Sequence, residues 1–175
     1  MSAVSLLLNH RLHRLREHMS LIIGPMPPDP NMRLQSARWA VEQWKRDFPY
    51  DSVDWYVDLY KNADETTGLP VVQAALLDDE FVGTASLISD DELPNALEPG
   101  PWIAAVYVVQ WARRQGIGEA LIDSLTTRAR ELGFSTVYLY TEHGAPWYEK
   151  MGWTRLRVTQ LSDHNVTVMS LQLDT

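Results

Sequence analysis

The stretch Arg113-Arg114-Gln115-Gly116-Ile117-Gly118 constrains the fold more than any other part of this chain. It follows an apolar run, Ile103 to Val109, and opens a helix-patterned segment that reaches Leu132. Strand, glycine loop and helix start together offer backbone N–H groups to a phosphate. The first N–H groups of a helix have no internal partner, and the helix dipole favours an anion there. Gly116 and Gly118 carry no Cβ, so the backbone can approach a ligand closely. Two arginines add fixed positive charge to an otherwise acidic chain. The first expectation is therefore a phosphate-bearing ligand.

Composition narrows the field. A length of 175 residues suits one domain with a full hydrophobic core. There is no cysteine, which excludes disulfides and thiolate metal sites and leaves redox chemistry silent on the compartment. No apolar run is long enough to span a membrane. The net charge of -8 argues against non-specific binding to nucleic acid. A cytoplasmic protein with neither membrane nor nucleic-acid partner is expected.

The charge is uneven. Residues 1–18 hold three Arg and one Glu, whereas the remainder holds twelve basic and twenty-two acidic side chains. Leu8, Leu12 and Leu15 share one helical face, with Arg11, Arg14 and Arg16 mostly elsewhere. Residues 1–18 read as an N-terminal extension, an amphipathic interaction helix or a targeting segment, before a domain over 19–175. The charges follow the apolar run, which is the wrong order for a signal peptide. Met19 is the expected natural start.

The rest of the chain punctuates itself. A short strand near Leu21–Ile23 leads to the stiff connector Pro25-Met26-Pro27-Pro28-Asp29-Pro30. Asn31 is predicted to cap a helix with Leu34, Ala37, Val41, Trp44 and Phe48 facing the core, ended by Pro49. A second helix follows Asp51. Val71–Leu77 and Phe81–Ile88 read as a hairpin about Asp78-Asp79-Glu80. Trp102–Val109 is apolar almost throughout, as expected of a central strand covered on both faces. Its helix is followed by a strand over Val137–Tyr140, a short helix over Ala145–Met151, and strands near Trp153–Thr159 and Val166–Leu173. The expected class is α/β, in detail α+β. The sheet is mixed and mostly antiparallel, with one right-handed parallel strand–helix–strand crossover carrying the glycine loop.

Three phosphate sites compete for that loop. A triphosphate P-loop needs Gly-Lys-Ser/Thr, which does not occur. A dinucleotide fold needs a third glycine where Leu121 stands, although Glu142 ends the next strand at a tolerable distance for ribose. That reading stays open on spacing alone. The third rests on a resemblance. Val106-Tyr107-Val108, followed by Arg113 to Leu121, resembles the acyl-CoA signature Arg/Gln-x-x-Gly-x-Gly/Ala of the GNAT acetyltransferase superfamily. Trp147-Tyr148-Glu149-Lys150-Met151-Gly152-Trp153 is similar to that family's Phe/Leu-Tyr-x-x-x-Gly-Phe segment. Motif order and element order agree with the family from residue 19 onward.

The resemblance implies the GNAT acyl-CoA N-acyltransferase fold and acetyl-CoA as cosubstrate, with no metal. It implies that the backbone of Val106, Tyr107 and Val108 pairs with the pantetheine arm. The N–H groups of Gln115, Gly116, Ile117 and Gly118 are then expected to hold the pyrophosphate, beside Arg113 and Arg114. Tyr148 matches the tyrosine that protonates the leaving thiolate; the alternative is a core aromatic. Thr141 stands where many relatives carry Asn, and its hydroxyl can donate and accept one hydrogen bond. The Val108 N–H is the implied oxyanion donor. Relatives are often homodimers, but no interface is legible here.

Acetyl transfer to an amine also needs a base. The central strand carries no acid, which keeps a non-catalytic CoA-binding or regulatory module open as the alternative. Asp90, Asp91, Glu92 and Glu98 in the preceding loop are candidates, each alternatively a solvated charge. Together they suggest a cationic amine acceptor: a polyamine, an aminoglycoside-like amine or a peptide amino terminus. Trp39, Trp55 and Trp102 are candidate pocket walls or core residues. His143 is weighed as a proton-transfer group or a loop residue. His10, His13 and His18 lack a metal-enzyme pattern, and no Gly-x-Ser-x-Gly elbow occurs.

Overall fold

Seven strands pair in the order β1-β2-β3-β4-β5-β7-β6 in the computed structural model, which describes residues 19–174. The strands are β1 (Leu21–Pro25), β2 (Val71–Leu77), β3 (Glu80–Ile88), β4 (Trp102–Val108), β5 (Thr136–Thr141), β6 (Thr154–Leu161) and β7 (His164–Gln172). The helices are α1 (Pro30–Trp44), α2 (Val53–Glu65), α3 (Ile117–Glu131) and α4 (Ala145–Lys150). The predicted extension over 1–18 lies outside the described residues. Every strand pair is antiparallel except β4 with β5, so the mixed, mostly antiparallel sheet expected from the sequence is present.

The two faces of the sheet carry different helices. On one, α3 inserts Ile117, Leu121, Ile122, Leu125 and Ala129 against Ala75, Val82, Ala85 and Leu87. On the other, α1 and α2 cover Val72 and Ala74 with Ala37, Ala40, Tyr56 and Tyr60. A third cluster, with Trp102 at its centre, lies where β4, β6 and β7 meet the 89–101 loop. No helix among the described residues is long and apolar enough to cross a membrane.

The cap of α1 is Asp29 rather than Asn31. Its carboxylate accepts from the N–H groups of Asn31 and Met32 at 2.8 and 2.9 Å. Pro30 then occupies the first helical position, where a missing N–H costs nothing. The core stripe of α1 also differs from its apolar pattern. Arg33 is buried, donating to the Pro27 carbonyl at 2.8 Å and pairing with Asp64 at 2.8 Å. A charge satisfied in this way can occupy a position that hydropathy assigns to solvent.

Candidate active site

The expectation of a central strand covered on both faces fails in an informative way. Only Trp102 and Ile103 of β4 are buried; Ala104 to Val108 are half-buried. The cause is that β4 and β5 share a single bridge, Trp102 with Tyr138, and then part. A bulge in the β3–β4 ladder accompanies the parting. Thr84 pairs with Tyr107 and Ser86 with Ala104, so two residues of β4 oppose Ala85 alone. Ala105 there has a φ of +52°, a strained value for a residue with a Cβ.

Beyond the bulge the backbone direction follows from the ladder. The Val109 N–H bonds the Val82 carbonyl at 2.9 Å. Antiparallel pairs alternate between bonded and non-bonded, so the main-chain groups of Val108 turn away from β3, toward the gap. The Val108 carbonyl accepts from Arg113 Nε at 2.8 Å. Its N–H remains turned to the gap.

The chain then makes a 3-10 turn over Gln110–Ala112 and enters the glycine loop. Gly116 caps α3 in the left-handed region at φ +79°, and no side chain caps the helix. The first N–H groups of α3 therefore lack helical partners. Arg113, Arg114, Gln115 and Gly116 are exposed, whereas the Ile117 side chain is buried in the core. Gly118 has little spare room. A Cβ there would lie 3.3 Å from the Trp147 ring, which flanks the helix start.

Tyr148 lies on α4 beside the same gap. It is 9 % exposed and packs edge-on against Trp147 and Trp153. Burial pushes its phenol up to about 12, so it is protonated at neutral pH. The Thr141 hydroxyl accepts from the Gly144 N–H at 2.9 Å, which closes the turn between β5 and α4. Thr141 and Tyr148 both line a cavity of about 410 Å³, and Ala104 to Val106 of β4 form part of its wall.

The cavity is acidic. Asp90, Asp91 and Glu92 line it as the sequence suggests, but Asp47, Asp51 and Glu142 line it too. Burial, followed by the Asp90 charge, holds the Asp91 carboxyl well above the usual carboxylate range. Tyr140 donates to the Asp91 carbonyl at 3.2 Å, and Tyr56 donates to Asp51 at 3.0 Å. Burial and then the Asp91 charge raise the Tyr140 phenol. Burial and then the Asp51 charge raise Tyr56. Arg46 reaches Glu142 at 2.6 Å and His164 Nε2 at 3.0 Å. Its hydrogen bond holds Glu142 below the usual range.

Several candidates fall elsewhere. Glu98 forms a two-pronged pair with Arg157 at 2.8 and 2.9 Å, which lowers its pKa and takes it out of the cavity. Of the three tryptophans only Trp55 lines the cavity. Trp102 is core at 1 % exposure, and Trp39 stacks on Phe81 and Tyr107. His143 lines the rim and is 87 % exposed in its side chain. Asp47 and Asp51, on the α1–α2 connector, and His164, at the start of β7, gave no linear signal because they meet only in the fold. Among the described residues no group of three His, Asp or Glu side chains is disposed to hold a metal.

The comparisons with known proteins agree with this architecture. The model of the acetyltransferase (GNAT) family matches residues 32–153. An aminoglycoside 6'-N-acetyltransferase complexed with coenzyme A superposes with a TM-score of 0.68 at 19% identity, covering 88% of this chain and 98% of that one. An aminoglycoside 6'-N-acetyltransferase from Enterococcus faecium gives 0.68 at 18% identity over the same shares. A Salmonella typhimurium protein assigned as an acetyltransferase, with its cofactor acetyl-CoA, gives 0.66 at 17%, covering 89% of this chain and 95% of that one. At these identities the likeness establishes the fold alone. No curated protein matches the sequence.

Proposed function

This chain belongs to the GNAT acetyltransferase family, and from that premise we propose that it acetylates a cationic primary amine by direct transfer from acetyl-CoA. The observation that carries the proposal is the parting of β4 from β5 beside an acidic cavity that also contains Tyr148. The gap offers unpaired main-chain groups to an extended amide-bearing arm, and the start of α3 offers N–H groups to phosphates. These residues suit coenzyme A. The proposed setting is the cytoplasm.

Acetyl-CoA supplies an activated acetyl thioester. The protein's tasks are then to gather the ammonium, remove its proton, stabilise the carbonyl oxygen and protonate sulfur. Asp47, Asp51, Asp90, Asp91, Glu92 and Glu142 draw a cation into the cavity. Asp91 takes one ammonium proton, which frees the nitrogen lone pair to form the new C–N bond. Its carboxyl lines the cavity, and burial raises its pKa above the usual carboxylate range, the direction that makes it a stronger base. The Val108 N–H provides the donor for charge developing on the thioester oxygen. The C–S bond breaks, the Tyr148 phenol gives its proton to the sulfur, and the second proton shed by the nitrogen as the amide forms restores the phenol. Val106, Tyr107 and Val108 hold the arm. Arg113, Arg114, Gln115, Gly116, Ile117 and Gly118 hold the phosphates, and Thr141 retains an O–H donor for the arm.

Thiol release from acetyl-CoA across polyamines, aminoglycosides, amino acids and short peptides tests this. The expected result is saturable release with multiply charged amines and little with neutral or acidic ones. Silence across the panel, with coenzyme A still raising the melting temperature, would overturn catalysis and leave a binding module.

A further inference from the structure

Trp39 does not serve the cavity its type suggests, yet it is tied to the cofactor side of the site. It stacks on Phe81 with centroids 4.8 Å apart and planes at 25°, and on Tyr107 at 5.1 Å and 27°. The Arg113 guanidinium lies over the same Tyr107 ring, its central carbon 5.8 Å from the ring centroid. Phe81, Trp39, Tyr107 and Arg113 thus form one continuous stack that joins β3, α1 and β4 to the first residue of the glycine loop.

The end of the stack is constrained twice. Arg113 lies over a ring face, where the quadrupole attracts a cation. Its Nε also donates to the Val108 carbonyl at 2.8 Å. The planar guanidinium is fixed by these two contacts, and four of its five N–H donors remain for other partners. Among the described residues no carboxylate forms an ion pair with Arg113, although the chain is acidic. An uncommitted, oriented guanidinium three residues before the glycine cap is matched to an anion shared with the start of α3.

We infer that Trp39 is a positioning residue for coenzyme A, acting through Tyr107 to hold Arg113 ready for a phosphate of the ligand. The inference rests on the acetyl-CoA reading above. Trp39 touches no ligand in this role. It keeps the Tyr107 ring flat beneath the guanidinium, so Arg113 loses little freedom when the ligand arrives.

A mutant cycle read by calorimetric titration of coenzyme A into the intact protein tests it. Trp39→Leu keeps an apolar side chain, smaller than the indole, and removes the stack; Trp39→Phe keeps a ring. Trp39→Leu should weaken binding roughly three- to tenfold, and Trp39→Phe should recover most of that loss. Arg113→Ala should weaken binding at least as much. In the Arg113→Ala background, Trp39→Leu should have no further effect, because the group it positions is gone. The salt dependence of binding should also flatten in both single variants. Additive losses, or unchanged affinity in Trp39→Leu, would overturn the positioning role while leaving the acetyl-CoA reading intact. Wild-type protein that fails to bind coenzyme A would overturn both.

Discussion

Arg46 meets Glu142 at 2.6 Å across the rim of the acidic cavity, although 96 positions separate them in sequence. The contact joins the α1–α2 connector to the end of β5 and is completed by His164, at 3.0 Å from Arg46. It is also a contact between Arg46, the one Lys or Arg among the described residues that line the cavity, and a carboxylate that an ammonium acceptor would otherwise meet. Arg46→Gln should therefore lower the KM of a multiply charged amine by roughly two- to fivefold and leave the KM of acetyl-CoA unaltered. An acceptor KM that stays constant or rises would show that the pair organises the rim instead of competing for the substrate.

Asp91 is predicted to trade stability for chemistry. Its folded-state pKa lies above the unfolded value, mainly through burial. The protonated form is thus favoured by folding, and the benefit turns into a penalty as pH rises past the usual carboxylate range. Asp91→Asn should melt higher than wild type at pH 7, with the difference vanishing in acid. Its kcat/KM should fall about 10²-fold and lose the acidic limb of the pH profile. Retention of that limb would move the base to another carboxylate.

Tyr148→Phe removes a phenol that is protonated below about pH 12. Turnover should drop about 10²-fold, with coenzyme A affinity little changed, because the ring and its contacts with Trp147 and Trp153 persist. Equal loss in kcat and in affinity would assign Tyr148 to packing.

The two glycines of the loop should fail differently. Gly116 has φ +79° and no protein atom within 4 Å of an added Cβ, so Gly116→Ala should cost about 1 kcal/mol through backbone strain and keep a reduced coenzyme A-induced rise in melting temperature. Gly118 lies against Trp147, and Gly118→Val should abolish the coenzyme A-induced rise in melting temperature. A comparison of melting curves with and without coenzyme A separates the two.

The sequence made the element order legible because each element kept one period. Ile117, Leu121 and Leu125 repeat as a helix, and Val137 and Leu139 alternate as a strand; both sets are buried. The glycine loop was legible because its residue types serve backbone geometry. What lay hidden depends on pairs distant in sequence. The apolar run of β4 looks the same whether β5 stays beside it or departs after Tyr138. Arg33 reads as a surface charge until Asp64 and the Pro27 carbonyl are placed around it. Glu98 was indistinguishable from Asp91 along the loop; Arg157, far away on β6, decides that only one enters the cavity.

The single bridge between Trp102 and Tyr138 makes this sheet an unfinished one. In an ordinary interior, strands that separate leave amides without partners, and folding pays a penalty at the seam. Here the seam opens on the cavity, with Ala104 to Val108 half-buried, and a molecule that zips it closed becomes, in effect, an eighth strand. Ligand occupancy and the cohesion of the two half-sheets are then one quantity. Amide hydrogen exchange along Val106–Val108 would register both at once.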